Sequence, residues 1–146
     1  MSNSENTQIG ADFQDQVFGW FCANYSLRFD KEKAIAIGKP AREHCFDIAN
    51  EDNSIVIECK CYTWTKSGGV PHGKIRTLNE AAFFFSFLTD TKEKYIVMKK
   101  DVHPTKNISL ARYYFERYGH LLMFYNIILA EFDPDVGENG NLEIIQ

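Results

Sequence analysis

Apolar positions early in the chain recur at helical steps and then switch to strand alternation. Across residues 9–25, Phe13, Val17, Trp20 and Phe21 fall one, three or four residues apart, which puts them on one side of an α-helix. Gln14 lies one position from that stripe, at the edge of the packing face. The polar stretch before it, residues 1–8, offers little apolar surface and is expected to be disordered. A short strand is expected at residues 34–37, stopped by Gly38-Lys39-Pro40. Two runs of strand character follow, residues 46–49 and 54–62, joined by Asn50-Glu51-Asp52-Asn53, whose Asn and Asp residues tolerate turn conformations. On the second run Ile55, Ile57, Cys59 and Cys61 face one way while Val56, Glu58, Lys60 and Tyr62 face the other. Ile55, Val56 and Ile57 in succession mark that end of the strand as buried on both faces.

After a glycine- and proline-rich loop at residues 66–73, the helical period returns over residues 74–89. Ile75, Leu78, Ala81, Ala82, Phe85 and Leu88 form its broad packing side, and Phe83, Phe84 and Phe87 carry the apolar surface nearly all round. Such a helix needs cover beyond one sheet face, from a neighbouring helix or a second subunit. A strand is expected at residues 95–98, a helix capped by Ser109 at residues 109–119, a strand at 126–132 and a turn-rich tail at 133–141. Helices alternating with strands predict an α/β fold, and the 146 residues fit one domain spanning 1–146.

Composition narrows the function. The formal net charge of −4 argues against tracking a long stretch of duplex, yet the basic residues are grouped, with Lys66, Lys74 and Arg76 after the hairpin and Lys99, Lys100 and Lys106 further on. A local footprint on a phosphate backbone and a merely solvated basic face both fit this grouping. Neither a membrane span nor a secretory leader is legible, so a cytoplasmic protein with reduced, buried cysteines is expected. Cys22, Cys45, Cys59 and Cys61 form no C-x-x-C pair, and His44, His72, His103 and His120 share no metal-ligand spacing. No serine-hydrolase elbow and no phosphate loop of Walker or dinucleotide type is present.

The chemistry gathers on the hairpin. Glu58 and Lys60 share a strand face, and Asp47 joins them if the turn holds an even number of loop residues. A two-residue loop pairs Asp47 with Val56 and a four-residue loop pairs it with Glu58, whereas an odd loop turns it away. Two carboxylates suit magnesium or manganese, hard cations that take oxygen ligands together with water and substrate phosphate, and the Cys59 carbonyl could add a further oxygen. Lys60 is placed to orient or deprotonate water and to offset developing charge. The alternative is a solvated strand face with a cross-strand ion pair. In the following loop, Lys66 and Ser67 are candidate phosphate contacts, as are Lys74 and Arg76 in the first turn of the next helix. Trp64 is a candidate for stacking on a base or for burial as an anchor.

With Asp47 opening a hairpin and Glu58-Cys59-Lys60 on its second strand, between two helices, the chain resembles the PD-(D/E)XK nucleases, the restriction-endonuclease-like family. The resemblance spans roughly residues 9–132 in order of elements, and its specific motif is confined to residues 47–60. It implies a mixed central β-sheet flanked by helices and a metal-dependent endonuclease that hydrolyses phosphodiester bonds, foremost in DNA. Asp47, Glu58 and Lys60 would be its catalytic residues. Family members often carry a glutamate on the first helix, and the matching text here, Gly10-Ala11-Asp12-Phe13-Gln14, has glutamine in that place, an uncharged candidate ligand. Phe46 stands where the family often has proline. A homodimer is expected because cutting two strands calls for two sites. The rival expectation is a nuclease-fold protein without activity that binds nucleic acid or protein partners.

Overall fold

The computed structural model describes residues 3–146, and Met1 and Ser2 lie outside it. The order of elements is α1 (Asn3–Asn24), β1 (Phe29–Ile37), β2 (Arg42–Asn50), β3 (Ile55–Lys60), α2 (His72–Phe85), β4 (Glu93–Lys99), α3 (Leu110–Phe124), β5 (Ile127–Asp133) and β6 (Asn141–Ile144). The strands form one open sheet in the order β1-β2-β3-β4-β5-β6. β1, β2 and β3 are antiparallel, β3, β4 and β5 are parallel, and β6 returns antiparallel on β5. The parallel half requires crossovers, and α2 and α3 supply them. Among the described residues no helix is long and apolar enough to cross a membrane.

Each sheet face has its own core. α1 covers one face, where Phe13, Val17 and Phe21 meet Phe29, Ile48, Ile55, Ile57, Tyr95, Val97 and Phe132, with Cys59 and Cys61 packed beside them. α2 and α3 cover the other, where Ile75, Leu78, Phe85, Leu110 and Tyr114 meet Phe46, Val56, Ile96, Met98 and Leu129. β3 therefore alternates as its sequence requires, and its first four residues are buried. Tyr114 is wholly buried and spends its hydroxyl on Asn79 Oδ1 at 2.9 Å, tying α3 to α2.

The hairpin turn explains the register. Asn50 is buried, its Oδ1 accepts from the Ile55 amide at 2.8 Å, and its Nδ2 donates to Asp52 Oδ1 and Ser54 Oγ. Asn53 takes the left-handed conformation, φ 60°, and its amide donates to Asn50 O. That network holds a four-residue loop, and Ile48 pairs with Ile57 and Ala49 with Val56.

Several boundaries differ from expectation. Residues 3–8 are helical, because α1 starts at Asn3, with Glu5 in the first turn, where the helix dipole favours an acid, and an i,i+4 bond from Gln8 to Asp12. β1 and β2 are longer than their apolar stretches, since pairing across the sheet edge extends them into polar sequence. β6 begins at Asn141, the last residue of the expected tail, and pairs to β5 beyond it, where no strand was expected. α3 runs on to Phe124, and α2 ends at Phe85. Cys22 and Cys45 are exposed rather than buried, and all four cysteines are free.

Phe85 has no exposure and stacks on Phe46 at 5.6 Å and 3°, holding α2 to the hairpin. Phe85→Ala is expected to cost about 3–5 kcal/mol in urea denaturation. Glu80→Ala, at an exposed position of the same helix, should stay within about 0.5 kcal/mol of the native protein.

Candidate active site

β2 parts from β3 at Asp47 while its pairing to β1 continues beyond. Phe46 packs among the α2 and α3 side chains while Ile48 packs under α1. Two residues apart on a regular strand would share a face, so the alternation breaks between them. On the other side of β2, Lys31 pairs with Ile48 and Lys33 with Phe46, and the intervening Glu32 takes a left-handed φ of 54°. Asp47 thus sits at a kink.

Side chains satisfy the backbone there. Glu58 Oε1 accepts from the Asp47 amide at 2.9 Å, and Asp47 Oδ2 accepts from the Cys59 amide at 2.8 Å. The Gln14 amide nitrogen on α1 donates to the Asp47 carbonyl at 3.1 Å and to Glu32 Oε1 at 2.9 Å. Lys60 Nζ stands 3.9 Å from Glu58 Oε2, too far for a hydrogen bond yet close enough to feel its charge. The residues expected to meet, Asp47, Glu58, Lys60 and Gln14, are together.

Burial governs the electrostatics. It pushes the Glu58 carboxyl up to about 7, with the Asp47 charge adding to the rise and the Asp47 amide and Lys60 opposing it. Burial also raises Asp47, against the Cys59 amide and Lys60. Cys59 itself is raised well above an ordinary thiol by burial, so its sulfur has no thiolate character to offer.

These donors fit a hard divalent cation. Each carboxylate has one oxygen held by a backbone N–H, which fixes its direction, and keeps Asp47 Oδ1 and Glu58 Oε2 outside those bonds. Among the described residues no group of three or more His, Cys, Asp or Glu side chains is arranged to hold a metal. A cation here would rely on two carboxylates, a backbone carbonyl and water, which is the manner of magnesium rather than of structural zinc.

Beside the carboxylates a cleft of about 500 Å³ opens at the carboxyl ends of β3 and β4. Lys60, Lys66, Lys74 and Lys99 line it, Asn6, Ile9 and Gly10 of α1 form one wall, and among the described residues no acidic side chain, Asp47 and Glu58 included, lines it. Lys74 Nζ stands 5.3 Å over the Tyr62 ring. Lys99 enters from the end of β4, and the sequence grouped it with Lys100 and Lys106 without placing it here. Ser67 and Arg76 are exposed but do not line the cleft, and Ser67 contacts Thr65.

Trp64 is 8% exposed and is an anchor, not a stacking platform. Its amide donates to Asp101 Oδ2 and its indole N–H to Asp101 O. His103 meets its edge, and the His103 Nδ1 accepts from the Thr105 and Lys106 amides, which places the ring proton on Nε2, donated to Gly68 O at 2.8 Å. Gly68 has φ 81°, and a Cβ there would lie 2.9 Å from His103 Nε2. Asp101, His103 and Glu32 had no signal in the sequence, since each acts from an element remote in the chain.

The chain has no significant match to any protein-family model, to any curated protein or to any solved structure.

Because burial raises Glu58, the folded state holds its proton more tightly than the unfolded chain, whose reference value is 4.5. Its stabilising contribution is full below that value and is lost as pH rises through about 7. Glu58→Gln, neutral throughout and still able to accept from the Asp47 amide, should therefore melt about 5 °C above the native protein at pH 8 without divalent cations. That gain should shrink toward zero at pH 5, as followed by thermal denaturation across the pH range.

Proposed function

We propose that the chain is a magnesium- or manganese-dependent endonuclease with a restriction-endonuclease-like core, acting on the phosphodiester bonds of DNA. The observation that carries this reading is that the Asp47 and Glu58 carboxylates are held by the backbone amides of Cys59 and Asp47 beside Lys60, whose own side chain lines a cleft shared with three further lysines.

Asp47 and Glu58 would hold the cation, with the Cys59 carbonyl as a candidate third oxygen. The bound cation supplies Lewis acidity, lowering the pKa of water and neutralising charge on the scissile phosphate. Lys60 donates to the attacking water or to the phosphate oxygen on which charge develops. Lys66, Lys74 and Lys99 seat the phosphates on either side. The local charge answers the acidic composition: a nucleic acid is met by one basic cleft on an otherwise acidic molecule.

Lys60→Ala should reduce cleavage of plasmid, linear or branched DNA about 100-fold or more while retaining manganese binding. Asp47→Asn should lose both. Cleavage that persists in Lys60→Ala would assign the activity to a contaminant. DNA binding without cleavage by the native protein would favour the reading as a binding module.

The reading extends to a second copy of the chain. Phe83 of α2, Phe87 just beyond its end, and Leu121 and Tyr125 at the end of α3 line a groove of about 460 Å³, and Phe124, 78% exposed, stands against Tyr125. At roughly 200 Å² per aromatic, the exposed parts of Phe83, Phe87, Phe124 and Tyr125 come to about 450 Å², more than half of what each partner buries in a standard interface. Groove and projecting ring lie on one surface, which suits two copies related by a twofold axis. Sedimentation at micromolar concentration should find a dimer. Phe83→Asp combined with Phe124→Asp should give a folded monomer that nicks plasmid more readily than it linearises it, and a native monomer would refute the pairing.

A further inference from the structure

The Gln14 amide lies between two groups that can only accept hydrogen bonds, the Asp47 carbonyl and a carboxylate oxygen of Glu32. Its orientation is therefore settled by chemistry: the nitrogen faces both, and a flipped amide would set oxygen against oxygen. The other Glu32 oxygen accepts from Cys45 Sγ at 3.4 Å. Glu32 takes the left-handed φ of 54° at the position opposite Asp47, where the β1–β2 pairing skips one pair and then resumes. The Asp47 backbone is consequently gripped from two directions, its carbonyl by Gln14 and its amide by Glu58.

We infer that Gln14 and Glu32 form a positioning pair for the proposed metal site, in which Glu32 aligns the Gln14 amide and that amide fixes the Asp47 backbone. This deepens the nuclease reading and rests on it for its functional consequence. Gln14 acts through its nitrogen, so it is not a weakened carboxylate ligand. A carboxylate at position 14 would face Glu32 and the Asp47 carbonyl with no proton to share, and would release the backbone it is meant to hold.

Two opposite outcomes follow for Gln14→Glu, read by direct titration with manganese. The positioning pair gives binding weaker by about tenfold or more, partly recovered when Glu32→Gln is added, because an amide at position 32 can donate to the new carboxylate. Tighter or unchanged manganese binding in Gln14→Glu would overturn the inference. Glu32→Ala, a change at an exposed residue, should also weaken binding, and Glu32→Gln should restore most of it, since the amide oxygen still accepts from Gln14. Equal affinity for Glu32→Ala and the native protein would overturn it as well.

The amide exchange of Asp47 and Cys59, followed by NMR in metal-free buffer, separates this inference from the nuclease reading. Both amides should exchange faster in Glu32→Ala and in Gln14→Glu, whether or not the native protein binds manganese or cuts DNA. Unchanged exchange would remove the pair, while faster exchange in a native protein that binds no manganese would keep the pair and remove the metal site.

Discussion

Everything distinctive about this structure depends on how the backbone of Asp47 is satisfied where β2 parts from β3. A strand that leaves a ladder in the interior exposes an amide and a carbonyl to an apolar surrounding, each at a cost comparable to a lost hydrogen bond. Here the Glu58 carboxylate takes the amide, Gln14 serves the carbonyl, and Asp47 uses its own carboxylate to take the next amide of β3. The kink and the cluster of ionisable groups are one feature. Removing any partner would leave a part-buried polar group unmet, so the hairpin cannot flatten into a regular ladder without expelling the carboxylates.

The rest of the sheet turns that kink into a place for chemistry. β3 belongs to both halves, antiparallel to β2 on one side and parallel to β4 on the other. Parallel strands end together, and their carboxyl ends leave a crevice where crossover loops diverge. Lys60 and Lys99 are the last residues of adjacent parallel strands, so their side chains enter the same cleft. The loop after β3 is held open by its own anchors: Trp64 is fastened to Asp101, and His103 binds Gly68 O. Lys66 and Lys74 are thereby displayed on ordered backbone.

The sequence made the motif strand legible because its alternation is strict and its buried end is continuous: Ile55, Ile57 and Cys59 go under α1, and Val56 goes under α2 and α3. The hairpin register was left between two even loops, and only the side-chain network of Asn50 distinguishes them, which depends on geometry that residue types do not encode. The kink was illegible for the same reason. A period of two predicts one face for Phe46 and Ile48, and tertiary packing gives them opposite faces. Glu32 and Lys99 were lost to distance along the chain. Trp64 could be read either way, and the two hydrogen bonds to Asp101 decided for burial. Phe83, Phe84 and Phe87 were legible as excess apolar surface, and Phe84 finds cover on His44 at 3.8 Å, whereas Phe83 and Phe87 remain open.

The local charge bears on what the site is for. Asp47 and Glu58 are drawn together by backbone bonds, and burial resists the ionisation of both. Lys60 supplies one positive charge at 3.9 Å, short of balancing two carboxylates, and Glu32 adds a further negative charge at the margin. A fold selected for stability alone would do better with neutral residues of the same shape, because an incompletely paired buried charge costs more than it returns. The arrangement makes physical sense if a divalent cation completes it, converting the repulsion that raises Glu58 into attraction. On the proposed reading the amide at position 14 follows as well: the carboxylates of Asp47, Glu58 and Glu32 would already match the charge of one such cation and one lysine, and the remaining contact, to the Asp47 carbonyl, calls for a donor.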